Sequence, residues 1–168
     1  MTIGEAFLTE FNEEMATTRR VLERVPDKNP DWKPHPKSFS MAHLAQLVSG
    51  MPGWIATMVK ETSLDLAAYP GYSNQKPAEL LAAFDKGVAA SKAALASAKD
   101  ADFAVNWSLK RGPMVLMTLP RNIVVRQTIN HIVHHRGQMT VYLRMNEVPV
   151  PSIYGPTADE RFPTPPKS

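Results

Sequence analysis

Apolar residues recur at three- and four-residue steps in four stretches of the chain, each bounded by capping or turn-forming residues. That period marks helices that bury one face. The first stretch opens at Thr2, which with Glu5 makes a capping box. Phe7, Phe11, Met15, Leu22 and Val25 follow at helical spacings until Pro26 ends the pattern. Residues 26–37 hold four prolines, so they predict a loop, with Trp32 anchored to the core. Ser38 or Ser40 caps a second helix. Leu44, Leu47, Val48, Met51, Ile55, Met58 and Val59 line its inner face, and Pro52 predicts a kink partway along.

The segment LDLAAYPGYSNQ is a connection rich in turn formers, after which Pro77 and Glu79 open a third helix running to about Ala98. Its long side chains, Leu80, Leu81, Phe84, Val88 and Leu95, form a stripe on an alanine-rich body. Residues 100–119 alternate weakly around Arg111, Gly112 and Pro113, which predicts an irregular hairpin-like excursion. Thr118 and Pro120 then start a fourth helix that ends near Asn146, before Pro149. The proline-rich tail either lies against the body or hangs free. Four helices with unequal loops predict an all-α fold, a four-helix bundle. Neither a repeat nor a linker divides residues 1–168, so one domain is expected, large enough to remove roughly 70% of its unfolded surface from water.

Composition narrows the function. No run approaches the roughly 18 apolar residues that a membrane span needs, and the acidic start MTIGEAFLTEFNEE lacks a signal-peptide pattern, so a cytoplasmic protein without a membrane partner is expected. The absence of cysteine removes disulfides, thiolate catalysis and sulfur-ligated metal. The net charge of +3 is scattered rather than clustered, which argues against nucleic acid as a partner.

Three of the five histidines, His131, His134 and His135, fall close together in the fourth helix. At about 100° per residue, Val125, Ile129, Ile132, Met139 and Leu143 make the core seam. His131 and His135 stand one above the other on its flank with Thr128, Gln138 and Tyr142, whereas His134 turns towards Gln127 and Asn130. An i, i+4 pair of imidazoles presents two nitrogens to a divalent ion. His43, on the edge of the second helix's stripe, is the candidate third ligand. Three neutral imidazoles leave coordination positions open for a substrate or an activated water. Asn130, Gln138 and Tyr142 are the candidates for orienting the ligands or lining the pocket. In the competing reading the histidines satisfy one another's hydrogen bonds in a polar core layer and no metal binds. His35 reads as a loop residue, and Trp54, Phe84 and the methionines as core. Arg136 and Arg144 read as solvated charges or as partners of Asp159 and Glu160.

The segments WKPHPKSFSMAHLAQLVSGMPGW, NHIVHHRGQMTVYLR and VPVPSIYGPTADE together resemble the DinB/YfiT-like family, over about residues 5–162. The resemblance implies up-down-down-up connectivity and a homodimer. It also implies a divalent metal held by one histidine of the second helix and the His131 and His135 pair of the fourth. The family's commoner pattern sets the second-helix ligand one turn beyond His43, where this chain has Leu47. The expected cofactor is nickel, zinc or iron. The expected activity is that of a metal-dependent hydrolase or thiol-dependent transferase acting on a small electrophile, with a low-molecular-weight thiol as a possible co-substrate. The alternative is a non-catalytic dimeric bundle with structural histidines.

Overall fold

The computed structural model describes residues 1–161. In chain order its elements are α1 (Ile3–Leu22), α2 (Met41–Lys60), β1 (Ser63–Asp65), a 3-10 turn at Leu66–Ala68, α3 (Pro77–Ser97), a short α4 (Asp100–Ala104), β2 (Asn106–Arg111), β3 (Met114–Pro120) and α5 (Arg121–Met145). The predicted fourth helix is therefore α5. The expectation of an all-α fold is corrected to a mostly helical one with a small mixed sheet, ordered β1-β2-β3. The hairpin-like excursion is a hydrogen-bonded antiparallel ladder of β2 and β3, with one bulge at Leu109/Lys110, and β1 joins it parallel to β2. Trp107 faces Leu119 and Leu109 faces Met117, so alternation gives the hairpin one apolar side to lay on the helices.

Both α1 and α2 pack mainly on α3 and α5. Thr2 and Glu5 cap α1 reciprocally, as the sequence requires. Ser40 rather than Ser38 caps α2, accepting from the His43 N–H at 3.3 Å. The preceding loop completes that end: the carbonyls of Trp32 and Pro30 accept from the Met41 and Ala42 N–H groups at 2.8 and 3.0 Å, satisfying donors that a helix start leaves open. Trp32 is anchored as expected, its ring edge-on to Tyr142 with centroids 5.4 Å apart.

Where Pro52 interrupts α2, the neighbouring helix supplies a hydroxyl. Ser91 Oγ donates to the Pro52 carbonyl at 2.6 Å and accepts from the Ala56 N–H at 3.0 Å, lodging between the two ends of an i, i+4 pair. That insertion needs close helices, and Gly53 and Gly87 meet backbone to backbone at the same crossing. Downstream of α5 the tail lies against the body as far as residue 161. Arg20 and Arg24 pair with Glu160, Arg144 pairs with Asp159 as expected, and Arg20 Nη1 donates to the Ser152 carbonyl at 3.0 Å.

One apolar cluster joins the helices and the sheet. Phe84 and Met15, Met41, Met51, Met58 and Met139 lie in it, but Met114 and Met145 are exposed. Among the described residues, no helix is long and apolar enough to cross a membrane.

Candidate functional site

The seam of α5 is as the periodicity requires: Val125, Ile129, Ile132, Met139 and Leu143 are fully buried. Beside it, His131 and His135 meet with their Nε2 atoms 2.8 Å apart. His135 is buried and His131 exposed. On the other side of its ring, His135 Nδ1 lies 2.7 Å from Gln138 Oε1. An amide oxygen only accepts, so this contact puts the proton on Nδ1 and leaves the Nε2 lone pair facing His131. Of the three candidates Asn130, Gln138 and Tyr142, Gln138 is the one that contacts the outer nitrogen of His135.

Desolvation, partial at the exposed His131, is the main influence holding both imidazoles below the ordinary histidine range, and the neighbouring histidines add to it. For His131 the second cause is His135; for His135, Gln138 opposes the shift and His134 reinforces it. With a lone pair on His135 Nε2, the 2.8 Å contact requires His131 Nε2–H to donate, and a divalent ion would take the place of that proton between two neutral rings. The geometry therefore fits two ligands of a metal.

The third expected ligand lies apart. The His43 ring is sandwiched between Phe39, at 4.3 Å, and Tyr72, which stacks on it at 4.6 Å. Phe39 also reaches His135, at 6.4 Å, and so bridges the two sites. Among the described residues, no group of three histidine, aspartate or glutamate side chains is placed to share one ion. Tyr142 is occupied in holding this region, its hydroxyl donating to the Phe39 carbonyl at 3.1 Å. Asn130 is exposed and lines neither of the cavities described below. His134 is exposed and edge-on to His135, with centroids 5.0 Å apart, and His35 is an exposed loop residue.

Two cavities flank the histidines. One, of about 690 Å³, is an aromatic groove beside α2, where His43 and Leu47 stand with Phe39, Tyr69 and Tyr72. The other, of about 440 Å³, lies between α2, α5 and the sheet, with His131 in its wall. Trp54 belongs to both walls, so it is half-buried lining and not the core residue expected; its indole donates to the Tyr69 hydroxyl. The sequence missed Trp107 and Met117 as cavity residues; for Trp107 the alternation of Trp107 and Leu109 with Asn106, Ser108 and Lys110 was a usable signal, whereas Met117 follows the apolar Val115 and Leu116.

Arg136 also departs from expectation. It is 1% exposed and pairs with Glu14 at 2.6 Å, its Nη2 donating to the Tyr154 hydroxyl at 2.7 Å. The Arg-Gly and Tyr-Gly-Pro segments are thereby joined in one structural network.

The DinB family model matches residues 1–164. The chain belongs to the DinB family. In fold, this DinB-family chain is similar to a DinB-like protein from Bacillus cereus, with a TM-score of 0.69 and 24% identity over 89% of this chain and 97% of that one. It is also similar to the DinB-like protein YjoA of Bacillus subtilis, with a TM-score of 0.68 and 16% identity over 87% and 96% of the two chains. A segment of 42 residues is 45% identical to uncharacterized protein YrdA of Bacillus subtilis, a quarter of each chain.

The histidine pair sets a pH response for the metal-free DinB chain. Because both folded pKa values lie below the ordinary 6.5, the unfolded chain binds more protons just below that pH. Stability should be full above 6.5 and fall as pH drops through 6.5 towards the depressed values. Melting temperatures of chelator-treated protein check this, and changing both rings to Gln should remove that part of the response.

Proposed function

We propose that this DinB-family protein binds a divalent ion, nickel, zinc or iron, at His131 and His135, and that it is an enzyme acting on a small electrophilic substrate. The observation that carries the reading is the convergence of two Nε2 atoms, with the far nitrogen of His135 tied to Gln138. His43 is the proposed third donor, which requires its ring to leave its place between Phe39 and Tyr72, in a bundle of up-down-down-up connectivity forming a homodimer.

When bound, the ion would supply Lewis acidity to a substrate oxygen or lower the pKa of a water or thiol. The chain's own contributions are separate from that chemistry. Gln138 holds the His135 tautomer, Phe39 and Trp54 exclude water from the approach, and the apolar wall beside His131 orients a ligand. The reaction class is metal-assisted addition of water or of a low-molecular-weight thiol.

Elemental analysis of untagged protein tests the reading. Near-stoichiometric metal is expected, and His131→Ala should lose it; once both are freed of metal by a chelator, variant and parent should melt at similar temperatures, because His131 is exposed. Equal metal in the variant and the parent would overturn the assignment. The same 2.8 Å contact also favours a second reading, a non-catalytic bundle in which the two rings satisfy each other. In that case no metal is retained and a chelator leaves the melting temperature unchanged, whereas removing a bound ion lowers it.

A further inference from the structure

The 690 Å³ groove beside α2 falls within the size range of small-molecule sites, and α2 itself supplies its floor. His43, Leu47, Gly50 and Trp54 follow at steps of four, three and four residues, which sets them in one row along the helix. Gly50 is the low point of that row. A glycine inside a helix is destabilising relative to alanine; Gly53 is matched to Gly87 at the helix crossing, but a Cβ added at Gly50 would meet nothing within 4 Å. Packing does not require this glycine. Its effect is to leave the middle of the groove open.

The walls are aromatic and held in place. The Tyr69 hydroxyl accepts from the Trp54 indole, and the Ser73 N–H, next to Tyr72, donates to Gln46 Oε1 at 3.0 Å, so the loop carrying both tyrosines is tied to α2. Phe39, Tyr69 and Tyr72 nevertheless keep 43%, 40% and 42% of their surface exposed. Rings that line a cavity and remain this open offer stacking faces to a flat ligand. Among the described residues, Arg111 is the only Lys, Arg, Asp or Glu in the lining, and it is exposed and makes no ion pair. Asp65, beside the same turn, accepts from the Ala67 and Gly112 N–H groups at 2.8 and 2.9 Å and lies outside the lining. One positive charge without a negative one favours an anion and gives a cation no counter-charge.

We infer that this groove binds a flat aromatic molecule bearing a carboxylate, its ring lying over Gly50 among the aromatic walls. Stacking selects the flat body, and the charge of Arg111 selects the sign of the substituent. The ligand class follows from the open floor, the exposed rings and the single charge, and does not depend on whether His131 and His135 hold a metal.

Isothermal titration calorimetry of the full-length protein tests it, after a chelator has removed any metal so that His43 keeps its place between Phe39 and Tyr72. Three probes are compared: 2-naphthoate, its neutral isostere 2-naphthamide, and decahydro-2-naphthoate, which has the same charge but no aromatic face. 2-Naphthoate should bind about fivefold tighter than either of the others. Arg111→Gln should bring its affinity down to that of the amide. Gly50→Leu puts a good helix former into the open floor, so it should weaken 2-naphthoate about tenfold without lowering the melting temperature. Tyr72→Leu, at an exposed loop position, should weaken it about threefold, and decides the matter if Gly50→Leu does not fold. No saturable binding of 2-naphthoate, equal affinity for it and either comparison probe, an undiminished preference over the amide in Arg111→Gln, or undiminished affinity in folded Gly50→Leu or in Tyr72→Leu would each overturn the assignment. Because the metal has been removed, these outcomes are independent of the elemental analysis above.

Discussion

Replacing Arg136 with Met should destabilise the protein by about 3–5 kcal/mol, the range for removing one partner of a buried ion pair. The guanidinium has 2% of its side chain exposed and Glu14 has 14%, so the carboxylate left behind keeps little solvent to replace the lost charge. Arg136 Nη1 also donates to the Glu14 carbonyl at 3.1 Å and to Thr18 Oγ1 at 3.3 Å; both bonds are lost with it, although the Thr18 hydroxyl still donates to that carbonyl at 2.7 Å. Tyr154 still donates to Glu14 at 2.8 Å and softens the loss without replacing the charge. Urea unfolding measures the effect. Pairing the change with Glu14→Gln should recover a large part of it, since the stranded charge is then gone; no recovery would mean that the guanidinium acts mainly through packing.

Gly87→Ala should cost about 2 kcal/mol, against the usual direction of glycine to alanine within a helix. Propensity alone favours alanine by about 1 kcal/mol. A Cβ at Gly87, however, would stand 2.9 Å from the Gly53 nitrogen and 3.2 Å from its Cα, and backbone cannot rotate out of the way. Relief requires α3 to move off α2, which withdraws the Ser91 hydroxyl from Pro52 and Ala56. Gly50→Ala is the matched comparison: nothing lies within 4 Å of its added carbon, so it should be neutral or stabilising. Thermal melts should show Gly87→Ala lowered and Gly50→Ala unchanged or raised. A shared direction would mean that the helix crossing is not the determinant.

The α5 seam was readable because burial on a helix repeats every three to four residues, and Ile129 and Ile132 obey that rule without outside help. The parallel pairing of Ser63 with Ser108 left no such trace, since a register between distant segments is written in neither of them. The candidate site divides along the same line. The meeting of His131 and His135 is a local property of one helix. The direction of His43 is decided by Phe39 and Tyr72, which arrive from loops whose paths have no period. Arg136 lies four residues after Ile132 and three before Met139, on the seam itself. Its place on the seam was compatible with burial, but its charge suggested solvent, and Glu14, Thr18 and Tyr154, contributed from segments far from it in the chain, make that burial tolerable.

The packing order of the helices constrains how the chain is made. The apolar side of α1 is covered chiefly by α3 and α5, Arg19 reaches to Asp85, and Arg20 and Arg24 reach to Glu160. As the polypeptide leaves the ribosome, α1 must wait for α5 to emerge before its greasy side is fully shielded. Phe7, Phe11 and Met15 would stay within reach of chaperones while α2 and α3 are made, and the bundle closes only once α5 has emerged.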